Sequence, residues 1–305
     1  RPVAKGTLHV HETQTRAEIT DPVSKIKVTV NKRKGVIEKV IGGGKTIVDS
    51  GPTFNVWRAP TDNDGVKGRK SHWTADGRPL GRWMNAGLNK LTTKTKGVSV
   101  TPQRNGSVVV VIKQRHTGRQ SRRGFDHVHT YTIQPGGVIN VAHTFRVDKG
   151  LDDLARLGVR MNLAPGFDKL SWFGRGPHES YCDRKAGAPV GLYHGTVAQQ
   201  YVPYILPQEN GNKEDVRWFS LCDDRGRGLR VEAAGPLSFS ASHLTPEELT
   251  RSYHTHELRP GKDVTVLMDY AQRGLGTLSC GPDALPEYRI DSGAYEWQYR
   301  MTLLN

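Results

Sequence analysis

Residues 26–41 read IKVTVNKRKGVIEKVI, and this stretch decides the fold class. Apolar and polar residues alternate in Ile26–Asn31 and again in Gly35–Ile41, as they do in β-strands that bury one face. Between the two runs stands Lys32-Arg33-Lys34-Gly35, a charged turn that ends in glycine. The pattern predicts two antiparallel strands joined as a β-hairpin.

The same kind of strand recurs along the whole chain, separated by turns that use 34 glycines and 17 prolines. Many short strands with frequent turns are typical of a sandwich or a barrel. The sequence therefore predicts an all-β protein, with a short N-terminal strand segment at residues 1–17 and one large antiparallel domain at residues 18–305. The other segments predicted as strands are 7–13, 108–112, 129–133, 138–145, 155–163, 229–233, 237–241, 264–270 and 296–301.

Helical patterns are few and short. Thr245-Pro246-Glu247-Glu248-Leu249 places an N-cap threonine before a proline and two acidic residues, which predicts one short helix. Residues Gly81–Leu88 predict a second helix of one or two turns. The loop-forming stretch from Ser50 to Arg82 is the best candidate for an internal boundary.

Positive charge dominates the composition. The 305 residues include 44 Lys and Arg against 30 Asp and Glu, for a formal net charge of +14. Five basic residues fall between the predicted strands 108–112 and 129–133, which predicts a long basic hairpin loop. Such a loop is either a solvated surface segment or a surface for an anion or for RNA, whose phosphates bind basic side chains without sequence specificity. These residues are Lys113, Arg115, Arg119, Arg122 and Arg123.

The three cysteines, Cys182, Cys222 and Cys280, are too few and too scattered for a disulfide scaffold or a zinc site. We therefore expect free thiols, an intracellular and reducing compartment, and no metal in this chain. No apolar run approaches the ~18 residues of a membrane span. The N-terminal sequence Arg1-Pro2-Val3 is not followed by the apolar segment of a secretory signal.

Common catalytic motifs are absent from the sequence: it has no serine-hydrolase elbow, zinc-protease helix, phosphate-binding loop or dinucleotide fingerprint. Glycosidases use two carboxylates on either side of the scissile bond. Spacing alone cannot select such a pair here, because each of four acidic residues in polar loops is an equally good candidate. They are Glu179, Glu209, Glu214 and Asp215.

Four longer segments of the sequence are far more distinctive than these single acidic residues. Asp and Asn in the first of them can bond their own backbone and hold an irregular loop. The segments are WRAPTDND at 57–64, WFGRGPHESYCDRK at 172–185, YILPQENGN at 204–212 with Arg217-Trp218 after it, and GLG at 274–276 with SCGP at 279–282 and LPEYR at 285–289.

In this order the four segments resemble the C-terminal domain of the large β-galactosidases of glycoside hydrolase family 2, a region that forms a separate small subunit in some relatives. The resemblance covers Glu18 to Asn305. It implies a galactose-mutarotase-like supersandwich, two large packed antiparallel sheets, in agreement with the strand pattern. It also implies a partner: the family's catalytic (β/α)8 barrel, as a domain or a large subunit, supplies the general acid and the nucleophile.

That barrel is absent from this sequence, so we assign no catalytic residue to it. The resemblance implies no cofactor for this chain either, because the Mg or Na expected for the family belongs to the barrel. What it implies here is part of the active-site rim, where a β-galactoside binds at a shared site. The PQENG loop of the family is mobile and lies near the substrate; here it is Gln208, Glu209, Asn210 and Gly211.

The glycine of this loop allows a tight turn, and the three polar side chains either bond sugar hydroxyls or hold the end of the sandwich. A second loop of the rim carries a tryptophan in some relatives, where it stacks on the sugar. This sequence has Cys280 there, as other members of the family do. The substitution removes the stacking area of an aromatic ring.

Histidines offer two further hypotheses. His178 beside Glu179 is either an acid–base pair, as mutarotases use to open a sugar ring, or part of a loop anchor. His254 and His256 are two residues apart, which on a strand puts both on one face and suits either a metal or structural hydrogen bonds.

Two functions from different classes follow. In the first, the chain is the C-terminal domain or small subunit of a β-galactosidase and completes its active-site rim. In the second, it is a non-catalytic basic sandwich recruited as a scaffold of a larger assembly, one that contains RNA. A stand-alone sugar-binding or mutarotase module is a lesser alternative, and a membrane is expected in none of them.

Overall fold

The computed structural model describes residues 6–67, 77–119 and 121–304. It is almost entirely β, as predicted. Within these residues seventeen strands and two short α-helices follow one another. The strands are β1 His9–Glu12, β2 Arg16–Asp21, β3 Ile26–Asn31, β4 Val36–Gly42, β5 Lys45–Asn55, β6 Leu91–Pro102, β7 Val108–Gly118, β8 Gly124–Gln134, β9 Val138–Val147, β10 Arg156–Leu163, β11 Lys169–Arg175, β12 Val190–Thr196, β13 Trp218–Cys222, β14 Gly228–Ala233, β15 Ser238–Ser242, β16 Val264–Gln272 and β17 Gly293–Leu304.

Two antiparallel sheets hold these strands. One has eight strands in the order β1-β2-β3-β4-β5-β10-β16-β15, and the other has nine in the order β12-β11-β13-β14-β17-β9-β8-β7-β6. This is the predicted supersandwich. Strand β2 runs across the predicted limit between residues 17 and 18, and both β1 and β2 belong to the eight-stranded sheet. The division at that limit stays a prediction.

The hairpin predicted at residues 26–41 is present as β3 and β4, which pair antiparallel. The amide of Gly35 donates to the carbonyl of Asn31 at 2.8 Å, and Asn31 Oδ1 accepts from the amide of Lys34. Gly35 has a φ of 63°, and a Cβ there would lie 2.8 Å from the Gln114 side chain. Glycine is therefore required at this turn.

Both predicted helices exist, with shifted ends. Helix α1 spans Pro79–Asn85, and α2 spans Pro246–Arg251. Thr245 caps α2 as predicted, because its Oγ1 accepts from the amide of Glu248 at 3.1 Å. Neither helix has the length and apolar character that crossing a bilayer requires.

The core lies between the two sheets, where aromatic rings of one sheet meet those of the other. Phe219 of β13 stacks on Phe239 of β15 with ring centroids 4.2 Å apart, and neither ring is exposed. Phe54 of β5 packs against Phe125 of β8 at 5.0 Å. Each fully buried phenylalanine contributes about 1.5–3 kcal/mol to stability, so these contacts hold the sheets face to face.

Histidines occupy one part of this core. In β8 the inward positions are His127, His129 and Tyr131, while Val128 between them is only half-buried. His143 lies directly opposite His129 on β9, and His116 lies on β7. Burial lowers the pKa of His116 to about 4 and that of His143 to about 3, so these imidazoles are neutral at pH 7. Neutral rings can exchange hydrogen bonds inside the protein without the cost of a buried charge.

We predict that replacing His116 by Phe protects the protein from mild acid. An unfolded histidine binds a proton below about pH 6.5, whereas the buried His116 does so only near pH 4, so the unfolded state is favoured as the pH falls through 6.5. Between pH 7 and pH 5 the unfolding free energy of the wild type should fall by about 2 kcal/mol more than that of His116→Phe. Urea unfolding at the two pH values measures this. An equal difference at both would show that His116 is not buried as a neutral ring.

Candidate functional site

The four segments singled out in the sequence meet in the folded protein. Asn63 joins the first to the last, because its Nδ2 donates to the carbonyl of Gly276 at 2.8 Å and its Oδ1 accepts from the amide and hydroxyl of Ser279 at 3.1 and 2.6 Å. The amide of Asp62 donates to Oε1 of Gln208 at 3.4 Å, and the amide of Glu209 donates to the carbonyl of Ala59 at 3.1 Å. We call these meeting segments the loop cluster: residues 57–64, 178–185, 207–211 and 274–282.

The segment at 178–185 is hydrogen-bonded to the segment at 274–282. Asp183 accepts from the amides of Leu275 and Gly276 at 3.1 and 2.7 Å. The Arg184 guanidinium donates to the carbonyl of Gly276 at 2.7 Å. A Cβ at Gly274 would lie 2.9 Å from the Asp183 carboxylate, so glycine permits this close approach. Asp183 and Arg184 thus shape a loop more than 90 residues further along the chain.

Buried ion pairs lie beneath the loop cluster. The guanidinium of Arg58 makes two bonds with Asp64, at 3.0 and 2.6 Å, and a third with the carbonyl of Arg273 at 2.6 Å. Arg58, Asp64 and Arg273 have no exposed area. Asp64 also accepts from the amide and hydroxyl of Thr61 at 2.9 and 3.0 Å, so it fixes its own loop, as predicted for this segment.

Arg273 extends these pairs toward α1. It donates to both carboxylate oxygens of Asp153 at 2.5 and 3.2 Å and to Asp283 at 2.7 Å. Burial alone would lower the pKa of Arg273, but the bonds to Asp153 and Asp283 outweigh it and raise the pKa. We call Arg58, Asp64, Asp153, Arg273 and Asp283 the buried charge network. The sequence analysis did not single out Arg273 or Asp153, because nothing near them in sequence marks either residue.

The PQENG loop is turned toward the protein interior. Glu209 is only 3% exposed, and its Oε1 accepts from Arg156 at 2.7 Å. Gln208 is also buried and bonds Asp62, while Asn210 Oδ1 accepts from the amide of Val202 at 3.1 Å. Gly211 has a φ of 78°, the left-handed conformation expected of a turn glycine. The polar side chains of this loop are thus engaged within the protein, and their binding of a sugar stays a prediction.

A second buried pair stands behind that loop. Asp269 and Arg156 are both without exposed area, and the Nε of Arg156 lies 3.7 Å from the Asp269 carboxylate, too far for a hydrogen bond. Burial raises the pKa of Asp269 to about 7, although Arg156 acts in the opposite direction. Burial likewise raises the pKa of Glu214 to about 7.

Glu179 anchors the loop cluster. It accepts hydrogen bonds from the hydroxyls of Tyr204 and Tyr181 and, at 2.7 Å, from the amide of Gly211. This is the loop-anchoring role weighed in the sequence analysis. His178 beside it is exposed, and a part for it in sugar ring opening stays a prediction.

Exposed groups form the rim of the loop cluster. Asp62 and Cys280 are exposed, and Asn63 is half-buried between them in the contacts described above. The amide of Cys280 donates to the carbonyl of Thr277 at 3.0 Å, which closes a turn. The stretch Ser50–Arg82 contains the end of β5 and the buried pair of Arg58 with Asp64, and its residues 68–76 lie outside the described part of the chain. A boundary there stays a prediction.

The prediction of a long basic loop from Lys113 to Arg123 is wrong. Strands β7 and β8 pair as far as Thr117 and Gly124, so Lys113 and Arg115 lie on a strand and only residues 119–123 connect them. Arg115 is ion-paired with Asp126 at 3.2 Å and with Asp148. The positive charge is therefore divided between a strand surface and a short turn with Arg119, Arg122 and Arg123. The sequence analysis missed this because the strands extend beyond the apolar residues at their centres.

Two groups in the described residues bring three possible metal-binding atoms within 4.8 Å of one another. His127, His129 and His143 are buried; His127 bonds His143 at 3.0 Å, His129 bonds Gln114 at 3.2 Å, and His143 also bonds Tyr299 at 3.1 Å. His254, His256 and Glu257 are exposed. The latter histidines lie at a 3-10 turn and not on a strand as predicted, and Glu257 is engaged by the amides of Tyr253 and His254.

We predict that Asp64→Asn destabilises the protein by about 3–5 kcal/mol, because it leaves Arg58 as a buried charge without its counterion. Glu38→Gln is the matched control. Its partner Arg16 has a side chain that is 58% exposed, so the loss of this pair should cost less than about 1 kcal/mol. Urea unfolding at pH 7 gives both values. Equal costs for the two variants would contradict a dominant role of the buried charge network.

Comparisons with known proteins show which family the chain is similar to. The family model of the β-galactosidase small chain matches residues 23–303. The chain is 34% identical over 246 residues to a β-galactosidase of Priestia megaterium, which covers 81% of this chain and 22% of that enzyme. It is 30% identical over 297 residues to a β-galactosidase of Actinobacillus pleuropneumoniae, which covers 97% of this chain and 28% of that enzyme.

Two solved structures are similar at low sequence identity. A putative aldose 1-epimerase of Escherichia coli K12 is 12% identical, with a TM-score of 0.46 over 97% of this chain and 98% of that one. A galactose 1-epimerase of Lactobacillus acidophilus is 7% identical, with the same TM-score over 98% of each chain.

Proposed function

The chain belongs to the β-galactosidase small-chain family, and on this premise we propose that it is the C-terminal domain or small subunit of a β-galactosidase. It completes one wall of an active site in which terminal β-D-galactosides are hydrolysed. The proposal rests on how little of its relatives the chain matches: it spans only 22–28% of the length of the two β-galactosidases described above.

The acidic residues of the loop cluster support this division of labour. A retaining glycosidase needs two carboxyl groups about 5–5.5 Å apart and facing the sugar. Glu209 is buried against Arg156, and Glu179 is held by two tyrosines and a backbone amide. Burial keeps Glu209 from a substrate, and Glu179 serves as a loop anchor. We infer that the catalytic acid and nucleophile, like any Mg or Na, belong to a barrel domain or large subunit outside this chain.

The exposed rim is what this chain offers the substrate. Asp62 presents an exposed carboxylate and Cys280 an exposed thiol, on loops that Asn63 ties together and the buried charge network holds from below. Such fixed polar groups orient a sugar through its hydroxyls. Cys280 presents no aromatic surface, so the rim orients galactose by hydrogen bonds more than by stacking.

The direct test is mass spectrometry of the native assembly purified through this chain, followed by a β-galactoside hydrolysis assay. We expect a catalytic barrel, covalently attached or as a separate subunit, and hydrolysis by the assembly. An assembly that contains RNA or unrelated proteins and no barrel would overturn the proposal.

In the active assembly we predict that Asn63→Ala raises KM for a β-galactoside about five- to tenfold with a smaller effect on kcat, because the loop of Ser279 and Cys280 loses its two bonds to Asn63. Asn105→Ala is the matched control. Asn105 also accepts from a serine amide and hydroxyl, those of Ser107 at 3.1 and 2.7 Å, in the turn between β6 and β7. An equal rise in KM for the two variants would contradict a role of Asn63 in holding the rim for the substrate.

A further inference from the structure

Three side chains that can each bind a metal ion converge at the exposed turn that follows α2. They are His254, His256 and Glu257, and one ligand atom from each lies within 4.8 Å of those from the other two. The 3-10 helix Thr255–Glu257 forms this turn and brings them together. All three side chains are exposed, so an ion in the solvent reaches them without a movement of the protein. None of them belongs to the loop cluster.

The carboxylate of Glu257 is oriented by the backbone of its own turn. Its Oε2 accepts from the amides of Tyr253 and His254 at 2.7 and 3.3 Å. These two bonds leave Oε1 facing Nδ1 of His254, at a distance of 2.9 Å. Hydrogen bonds of this kind orient the carboxylates that bind metals in proteins. The carboxylate is therefore already fixed before an ion arrives, although it lies at the surface.

Each of the three side chains has an atom that an ion can take. His256 makes no hydrogen bond with the described residues, and the centroid of its ring lies 5.3 Å from that of His254. The bond between His254 and Glu257 contains one proton, whose place an ion takes while the proton moves to Nε2 or to solvent. Two ligand atoms bound to one zinc ion are about 2.9–3.4 Å apart, which is close to the separation of these two.

The donors and the surrounding charges favour a particular kind of ion. Neutral imidazole suits zinc, copper and nickel, whereas Mg²⁺ and Ca²⁺ prefer oxygen ligands. Two guanidinium groups lie nearby: Arg251 is paired with Glu248 at 2.6 Å, and Arg259 lines a surface pocket beside Glu257. Their positive charge opposes ions that are held by charge alone. Two histidines and one glutamate are also a ligand set that proteins use for zinc.

We propose that His254, His256 and Glu257 bind one Zn²⁺ ion, with water in the remaining position. The ion joins the two ends of the turn, because its ligands come from the first and last residues of residues 254–257. This proposal departs from the expectation of no metal in this chain, which was drawn from the scattered cysteines. It rests on the turn alone and not on the proposed function.

The turn lies against a buried lysine that reaches the PQENG loop. Nζ of Lys67 donates to the carbonyl of Pro207 at 2.7 Å and to the carbonyls of Leu249 and Ser252, and it lies 5.6 Å from the ring centroid of Tyr253. An ion that fixes the turn also fixes Tyr253 over this ammonium group. We therefore expect the ion to be structural and to stabilise the folded state.

The test is calorimetric titration of the purified, EDTA-stripped protein with ZnCl2 at pH 7.5, with MgCl2 and CaCl2 titrated in parallel. We expect one site for Zn²⁺ with a Kd in the micromolar range and no binding of Mg²⁺ or Ca²⁺. The melting temperature should rise by about 4 °C at a free Zn²⁺ concentration of about 100 times Kd.

Single substitutions place the ion at the turn. We expect His256→Ala and Glu257→Gln each to weaken Zn²⁺ binding at least about tenfold, since each removes a ligand. Without zinc, His256→Ala should melt within about 1 °C of the wild type, because its side chain is exposed and makes no hydrogen bond with the described residues. The matched control is His11→Ala: His11 is also exposed and two residues from another histidine, on β1, but belongs to no group of three ligands in the described residues.

Two results would overturn the proposal. One is the absence of saturable Zn²⁺ binding up to about 0.2 mM, a concentration far above a micromolar Kd. The other is binding that His256→Ala and Glu257→Gln leave unchanged, which places the ion elsewhere; binding lost in His11→Ala instead would place it on β1. None of these readouts uses hydrolysis, so they are independent of the outcome for the proposed function.

Discussion

Two guanidinium groups without any exposed area, those of Arg58 and Arg273, constrain the rest of the site. A buried charge is tolerated only when a counterion and hydrogen bonds surround it, and the loss of one partner is strongly destabilising. Asp64, Asp153 and Asp283 supply these partners from three distant parts of the chain. The loops that carry them cannot move apart without leaving a charge unpaired inside the protein. This requirement makes irregular backbone as fixed as the sheets beside it.

The sheets and the buried charge network stabilise the protein in different ways. Aromatic contacts such as that of Phe219 with Phe239 hold the two sheets together by apolar burial, which has no direction and tolerates many arrangements of loops. The paired charges add direction, because a guanidinium meets a carboxylate in a planar geometry. Asn63 and Asp183 then connect this network to the loop of Gly276 and Ser279 through several hydrogen bonds. A rim built in this way presents its side chains at fixed positions.

Local patterns predicted the fold well, and physical reasons explain where prediction stopped. Alternation marked strands such as β3 and β4, and the capping signals of Thr245 marked α2, because both depend on neighbours in sequence. The four motif segments lie in loops that meet in the folded protein. Their connections through Arg58, Arg273 and Asp153 could not be predicted, since they join residues more than a hundred positions apart. The basic loop was misjudged because β7 and β8 continue into polar sequence, and the inward histidines of β8 break the apolar pattern.

The account claims above all that the loop cluster behaves as one cooperative unit held by the buried charge network. Native-state hydrogen exchange tests this most directly, because it gives an opening free energy for each amide. The amides of Glu209, Gly276 and Ser279 lie on two loops that the network joins. We expect their opening free energies to agree within about 1 kcal/mol and to approach that of global unfolding. Rapid exchange of Gly276 and Ser279 with Glu209 still protected would show that the loops open independently and would contradict the account.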